Sequence, residues 1–223
     1  GAYAGDAITT GQYNTALGRE ALTAVNTGAS NTALGRNAGD TITTGGGCVI
    51  LGALSDSSTA GGNYVNAIGY NVTGDAGYTT LGESGSDIRA AHGNVTWATV
   101  SDQRYKKDIV DSTAGLSFIN ALQPRTFKYK TLGELPETFR AYEADSTEVF
   151  KNSNTNHGFI AQEIKAAIDA DSSIADGFKL WDDRDDGSQE VAEAALIPVL
   201  TKAIQELSAQ VDALTARIET LEG

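Results

Sequence analysis

Residues 14–18 read N-T-A-L-G, and the same five letters return at residues 31–35. The pattern continues as V-I-L-G, ending at Gly52, and as N-A-I-G, ending at Gly69, so its glycines recur every 17 residues. A shorter copy, T-L-G, ends at Gly82 after only 13 residues. A fixed period that combines an apolar step, a glycine and turn residues is typical of coils that stack on one another. The sequence therefore predicts a β-solenoid, with a Gly/Thr-rich linker as the alternative.

The apolar residue before each of these glycines is expected to point into the solenoid, because each coil must bury one face against its neighbours. This predicted inward ladder consists of Leu17, Leu34, Leu51, Ile68 and Leu81. Cys48 stands where two other repeats carry asparagine. We expect it to be a small buried side chain rather than a reactive thiol. As the single cysteine of the chain, it also excludes an intrachain disulfide.

The overall charge excludes one broad class of partner. The 223 residues carry a formal net charge of −13. A protein that grips nucleic acid by its phosphates needs a basic face, so no nucleic-acid partner is expected. No stretch approaches the roughly 18 apolar residues of a membrane helix, so no membrane insertion is expected either. The first residue is glycine rather than methionine, and we expect the sequence to be a fragment of a longer protein.

The composition changes near residue 100. Residues 1–100 contain 3 Lys/Arg and 7 Asp/Glu, whereas residues 101–223 contain 13 and 22. A helix carrying Leu116, Ile119 and Leu122 is predicted, capped by Asp111 and Ser112 and ended by Pro124. Further on, alternation of apolar and polar residues predicts short strands and one helix, separated by a polar irregular stretch at 131–156. The strands are predicted at 125–130, 157–160 and 177–181, and the helix at Ala161–Ala170.

The acidic run D-D-R-D-D-G at residues 182–187 predicts a solvated hairpin turn. A calcium loop is the alternative, but Arg184 occupies a position at which such a loop carries an oxygen ligand. No metal and no cofactor are expected.

The C-terminal stretch has the spacing of a coiled-coil seam. Its apolar residues alternate at intervals of three and four. They are Ile197, Leu200, Ile204, Leu207, Val211, Leu214, Ile218 and Leu221. A single amphipathic helix that packs on its own domain is the alternative. β-Branched residues at one seam position with leucine at the other favour two strands, whereas a solenoid fibre would favour three.

The most charged segment, S-D-Q-R-Y-K-K-D-I at residues 101–109, lies between the two halves. Ser101 and Lys106 could form a nucleophile and its base, provided that burial or a nearby cation such as Arg104 or Lys107 keeps the lysine neutral. A charged surface strand is the alternative. Residues five apart face opposite sides of a strand and lie about 140° apart on a helix. The segment must therefore bend, or the pair must form between subunits.

Several motifs in this half resemble one family. S-D-x-R-x-K-x-x-I is similar to the signature of the C-terminal intramolecular chaperones of phage tailspikes and tail fibres. This family of self-cleaving serine peptidases includes the endosialidase tailspikes. Three further motifs follow in the same order, namely F-K-Y at 127–129, G-F-I-A-Q-E-I at 158–164 and L-I-P-V-L-T-K-A-I-Q-E-L at 196–207. The repeats at about 4–82 resemble the β-roll heads of trimeric adhesins and the shaft repeats of phage fibres.

The resemblance implies a single-turnover serine endopeptidase that cuts only its own chain. Ser101 would be the nucleophile, Lys106 the base, and Val100–Ser101 the scissile bond. The chain itself is the substrate, so proximity is built in.

Three other residues receive supporting roles. Asp102 and Arg104 are expected to hold the loop. His157 precedes a family motif and is expected to be structural or exposed, with a role at the cleavage site as the alternative.

Together these inferences predict a mainly β N-terminal half, a solenoid of 17-residue repeats, then an α+β chaperone domain and a C-terminal coiled-coil helix, assembled as a homotrimer. The expected boundaries are 1–88 for the solenoid, 89–100 for a connector, 101–195 for the chaperone core and 196–223 for the helix.

The expected function is that of the C-terminal part of a phage tail fibre or tailspike, located in the virion tail after assembly in the host cytoplasm. Its expected partners are further copies of itself and a host-cell surface receptor, expected to be a glycan. A fibre tip that keeps its chaperone and never cleaves is the alternative. A membrane-anchored transcription factor of animals that carries a similar domain is disfavoured by the repeats, the acidic charge and the absent membrane helix.

Overall fold

The computed structural model describes residues 1–174 and 178–222. The chain divides into two compact units, Gly1–Lys107 and Asp108–Gly223. The first unit holds nine strands: β1 Thr15–Leu17, β2 Thr32–Leu34, β3 Val49–Leu51, β4 Asp56–Ser57, β5 Asn66–Tyr70, β6 Thr73–Gly74, β7 Tyr78–Glu83, β8 Ser86–Ala91 and β9 Ala98–Thr99. The described part of the second unit holds α1 Leu116–Ala121, β10 Arg125–Phe127, β11 Asn156–Gly158, α2 Ala161–Ala170, β12 Trp181–Asp183, β13 Gln189–Val191 and α3 Leu196–Glu222.

The first unit is a β-solenoid of about four turns, as predicted. Its main sheet has the strand order β1-β2-β3-β5-β7-β8-β9, and the first five of these strands are parallel. Thr15 pairs with Thr32 and Thr32 with Val49, whereas Asn66 pairs with Thr79 across the shorter last coil. Strands β8 and β9 then extend the sheet in antiparallel fashion.

The predicted inward ladder is wrong by one residue. Leu17 and Leu34 are 60% and 47% exposed, whereas Ala33 is fully buried. The inward column consists of the residues one position earlier, Ala16, Ala33, Ile50, Ala67 and Thr80. Larger side chains from other sides of the coil, including Leu22 and Ile42, fill the same core. They leave room for little more than a methyl group at most positions of the inward column. Because strand residues alternate between faces, the leucines lie on the outside.

Cys48 is buried, as predicted, and completes a column of polar groups inside the coils. The side chain of Asn31 is fully buried, its Nδ2 donates to the Gly45 carbonyl oxygen at 2.9 Å, and its Oδ1 accepts from the Cys48 amide at 3.0 Å. The Cys48 thiol donates in turn to the Gly62 carbonyl oxygen at 3.3 Å. Burial raises the pKa of this thiol, which favours its protonated, unreactive form.

The second unit has its own core, in which Phe118, Ile164 and Leu180 are almost completely buried. Helix α2 has the predicted bounds. The predicted cap of α1 is wrong, because Gly115 is its N-cap. The Leu116 amide instead donates to a carboxylate oxygen of Glu206 on α3, at 2.8 Å.

The strands of the second unit are shorter than predicted. Of the predicted strand 125–130, only Arg125–Phe127 pairs, with Asn156–Gly158 as its antiparallel partner. The predicted strand 177–181 starts only at Trp181, and its first residue lies outside the described residues. Residues 184–188 join β12 to β13, whereas Asp182 and Asp183, which the sequence placed in the turn, belong to β12.

The C-terminal helix α3 spans 27 residues. Leu196, Val199 and Ala203 pack into the core at its first turns. The predicted seam residues are exposed along the whole helix, from 41% at Leu200 to 78% at Leu221. None of the described helices is long and apolar enough to span a membrane.

Candidate functional site

The predicted Ser–Lys pair lies just after the last strand of the first unit. Strand β9 ends at Thr99, and residues Gln103–Tyr105 form one turn of 3-10 helix. Asp102 is the N-cap of this turn, and the Lys106 amide donates to the Gln103 carbonyl oxygen at 2.9 Å. The backbone therefore bends between residues 101 and 106.

This bend brings the two side chains together within one chain. The Lys106 Nζ donates a hydrogen bond to the Ser101 Oγ at 2.7 Å. The sequence left open whether the segment bends or the pair forms between subunits, and in the structure a single chain makes the contact. Both residues are exposed.

Asp102 and Arg104 form an ion pair with each other within the same turn. The Asp102 Oδ1 accepts from the Arg104 amide at 2.8 Å, and its Oδ2 accepts from the Arg104 Nη2 at 2.7 Å. The paired guanidinium lowers the pKa of Asp102, and the carboxylate raises the pKa of Arg104. An exposed pair of this kind adds little to global stability. Its bidentate geometry fixes the turn that Ser101 and Lys106 flank.

An open groove of about 660 Å³ lies beside Val100. Its apolar walls include Leu81, Ile88 and Tyr105. The sequence gave no sign of it, because the groove depends on the antiparallel pairing of β8 with β7 and β9. The last copy of the repeat lies in β7, so the period stops before β8 and β9.

The remaining predicted site residue, His157, lies in the second unit. It pairs with Thr126 across β10 and β11, and its side chain is exposed. Its suggested role at the cleavage site stays a prediction.

The local chemistry suits nucleophilic attack by a hydroxyl group. A serine needs a neighbouring base within hydrogen-bond reach, and Lys106 is placed for that role when its amine is neutral. Among residues 1–174 and 178–222, no cluster of three or more His, Cys, Asp or Glu side chains is arranged to hold a metal ion.

Comparison with known families places this site in context. Residues 101–171 match the model of the family described as chaperone of endosialidase. Neither the curated proteins nor the solved structures gave a match to this chain. The matched family is linked to self-cleaving chaperone domains, and it supports a chaperone role in a phage fibre. Residues 101–171 are thus similar to the chaperone of endosialidase family, and this stretch follows a β-solenoid.

Proposed function

We propose that this chain is the C-terminal part of a phage tail fibre or tailspike whose chaperone domain assembles three copies and then releases itself. Release occurs by cleavage of the Val100–Ser101 peptide bond. The observation that carries this proposal is the 2.7 Å contact between Ser101 Oγ and Lys106 Nζ, at the first residue of the family match.

The proposed reaction has two steps. The neutral Lys106 amine takes the proton of the Ser101 hydroxyl as its oxygen attacks the Val100 carbonyl carbon. The carbon–nitrogen bond then breaks, the proton passes to the Ser101 nitrogen, and an ester joins Val100 to the serine oxygen. Water hydrolyses this ester, leaving a carboxylate on Val100 and a free amine and hydroxyl on Ser101. The reaction consumes one water molecule and runs once per chain.

Assembly supplies a reason why cleavage waits until folding is complete. Ser101 and Lys106 are both exposed to water in the single chain. Removing an amine from water favours its neutral form, which is the form that can accept a proton. Covering of Lys106 by a second copy would therefore switch the base on.

Two apolar surfaces support self-association, one partly and one fully exposed. The first, the outward row, crosses the main sheet in register and consists of Leu17, Leu34, Leu51, Ile68, Leu81 and Ile88. The second is the stripe of seam residues on α3, all of them exposed. Contiguous apolar surfaces of this kind mark sites of protein contact. The resemblance of the repeats to trimeric adhesin heads favours three copies over two.

A chaperone at this end of a fibre solves a folding problem. Parallel chains must find a common register before their contacts offset the cost of ordering, which makes such pairing slow and prone to misassembly. A domain with its own core and a long helix can oligomerise first and align the chains. Once the chaperone domain has been removed, an unfolded chain can no longer refold by the route that assembled it. The persistence of the fibre then depends on how slowly it unfolds, which is kinetic stability.

The fibre would then stand in the virion tail and contact a host-cell receptor, for which a surface glycan is our proposal. The family match supports a tail protein in general terms.

The experiment is denaturing mass spectrometry of the purified protein. Fragments 1–100 and 101–223 are expected from the wild type and are expected to be absent from Ser101→Ala. Lys106→Arg keeps a cation at the site, but arginine stays protonated and cannot act as a base, so it is also expected to remain intact. Lys107→Arg makes the same change one residue away and is expected to cleave.

A single intact species of 23.2 kDa in all samples would reject self-cleavage and favour the fibre tip that retains its chaperone. The exposure of Ser101 and Lys106 is the observation that keeps this second candidate in view. Cleavage by Lys106→Arg at the wild-type rate would reject the lysine as the base.

A further inference from the structure

The Val100–Ser101 bond lies between two anchored segments. On its amino side, strand β9 pairs with β8 through only two residue pairs, Ile88 with Thr99 and Arg89 with Ala98. On its carboxyl side, the Asp102 carboxylate caps the 3-10 turn. Two ladder pairs at a sheet edge hold a strand weakly, so any further contact there affects how firmly the scissile bond is held.

Thr99 supplies such a contact. Its Oγ donates to the Asp87 carbonyl oxygen on β8 at 2.9 Å. The branched side chain of threonine has few rotamers, so this bond costs little additional ordering. It fixes the residue directly before Val100 to a neighbouring strand of the solenoid sheet.

We propose that Thr99 is a positioning residue for self-cleavage and holds the Val100 carbonyl group where the Ser101 oxygen can reach it. The inference rests on the proposed function. Attack requires the oxygen and the carbonyl carbon to meet in a defined geometry, and a misplacement of about 1 Å can cost about a hundredfold in rate. Asp102 and Arg104 order the nucleophile side of the bond, and Thr99 with the Asp87 carbonyl orders the acyl side.

The groove beside Val100 gives this arrangement an opening to solvent. Val100 is 52% exposed and Tyr105 is 80% exposed at its walls. In the single chain, the groove therefore leaves Val100 open to water. Because the hydrogen bond of Thr99 orders the acyl side of the scissile bond, we assign its effect to the first step, the transfer of the acyl group to oxygen.

The test compares cleavage rates of three matched variants. Thr99→Val keeps the shape of the side chain but removes the donor, and cleavage is expected to slow by about tenfold or more. Thr99→Ser keeps the donor and is expected to remain within about twofold of the wild type. Thr96→Val removes a hydroxyl that bonds only locally, to the Asn94 side chain at 2.8 Å, and is also expected to cleave normally.

Two further measurements separate positioning from folding. The melting temperature of each variant is taken in the uncleavable Ser101→Ala background, where Thr99→Val is expected to match Thr99→Ser. Thr99→Ala serves as a second test should valine alter folding. Hydroxylamine cuts esters directly, so it would restore cleavage of Thr99→Val if hydrolysis had slowed. We expect no restoration, because the ester forms slowly.

The outcomes are distinct. If the wild type stays intact, the proposed function and this inference both fail. If the wild type cleaves and Ser101→Ala does not, but Thr99→Val cleaves at the wild-type rate, only the positioning role fails. Equal slowing of Thr99→Ser and Thr99→Val, restoration by hydroxylamine, or a lowered melting temperature that accounts for the slowing would also overturn it.

Discussion

Asp56 shows how stacking the coils changes the chemistry of one carboxyl group. The Asp56 Oδ2 accepts from the Thr41 amide at 2.9 Å, and its Oδ1 accepts from the Ser57 amide at 2.7 Å. Burial, together with the hydrogen bond to the Asp40 carboxyl group, outweighs these donors and raises the pKa of Asp56 to about 6. Stacking of the coils thus places the Asp40 carboxyl group close enough to help raise the pKa of Asp56.

This pair predicts a pH dependence of stability. A carboxyl group whose pKa is raised on folding stabilises the folded state in acid, and this contribution is lost as pH rises from about 4 through about 6. We expect urea unfolding at pH 5 to require on the order of 1 kcal/mol more free energy than at pH 8 on this account. Asp56→Asn is expected to remove that difference.

Asp6→Asn is the matched control, since Asp6 lies two coils before Asp40 and bonds to the Thr23 hydroxyl. Its pH dependence should equal that of the wild type. The same pH dependence in Asp56→Asn would contradict the assignment.

At the residue scale, the contacts around the proposed cleavage site could be anticipated, because Ser101, Lys106 and the supporting Asp102 and Arg104 all lie within one short motif. Their contacts depend on local backbone geometry. The contact of Thr99 could not be predicted, because its partner carbonyl group belongs to β8, and β8 lies outside the sequence repeat.

Among the elements, the strands of the solenoid show what a sequence period can and cannot predict. The period located β1, β2 and β3, yet the face that each strand buries was assigned wrongly. A leucine normally marks the inner face. Here the coil is narrow, the alanine lies inside, and the leucine is left on the outer face. The sequence pattern alone gave two adjacent apolar residues and no means of choosing between them.

The choice of face can be tested by substitution. Ala33→Leu would force a larger side chain into the filled core and is expected to lower the free energy of unfolding by about 1–3 kcal/mol. Thr32→Val, on the exposed face of the same strand, should change it by about 0.5 kcal/mol or less. Thermal and urea unfolding measure both, and a tolerated Ala33→Leu would show that the core is not filled at this position.

Helix α1 depends on a residue that no local pattern indicates. Its N-terminal amide is satisfied by Glu206, 90 residues away on α3. A Cβ on Gly115 would lie 2.6 Å from that carboxylate, so any larger residue there would require the Glu206 side chain to move. The sequence predicted a local cap at Asp111 and Ser112 because capping is normally local.

Removal of this long-range cap should destabilise the second unit. Glu206→Ala is expected to lower its free energy of unfolding by about 1–2 kcal/mol, since the Leu116 amide loses a charged acceptor. Glu206→Gln keeps an acceptor oxygen and should lose less. Glu219→Ala, at an exposed position of the same helix, is the control. Equal stability of Glu206→Ala and Glu219→Ala would show that the contact contributes nothing.

On the scale of the whole molecule, the chain is two units with separate cores, and each has an apolar surface that the single chain leaves at least partly exposed. We expect α3 to assemble the copies. Leu207→Asp combined with Leu214→Asp should reduce the oligomer to a monomer in analytical ultracentrifugation, because charge cannot be buried in a coiled-coil seam. Ser208→Asp with Thr215→Asp adds the same charge at neighbouring exposed positions and should leave the mass unchanged. Identical masses for the two double variants would argue against the coiled coil.

The reversal of direction between β7 and β8 has a consequence for aggregation. A stack of parallel coils with an open final strand could pair end to end with another stack, because an exposed edge strand presents unpaired backbone N–H and C=O groups. The turn at Ser84, which has a φ of 52°, sends the chain back along β7. The sheet then ends at β9, a strand of only two residues. A fibre cut at Val100 would therefore finish in an edge too short to recruit another fibre, so that cleaved particles would stay separate in a crowded lysate.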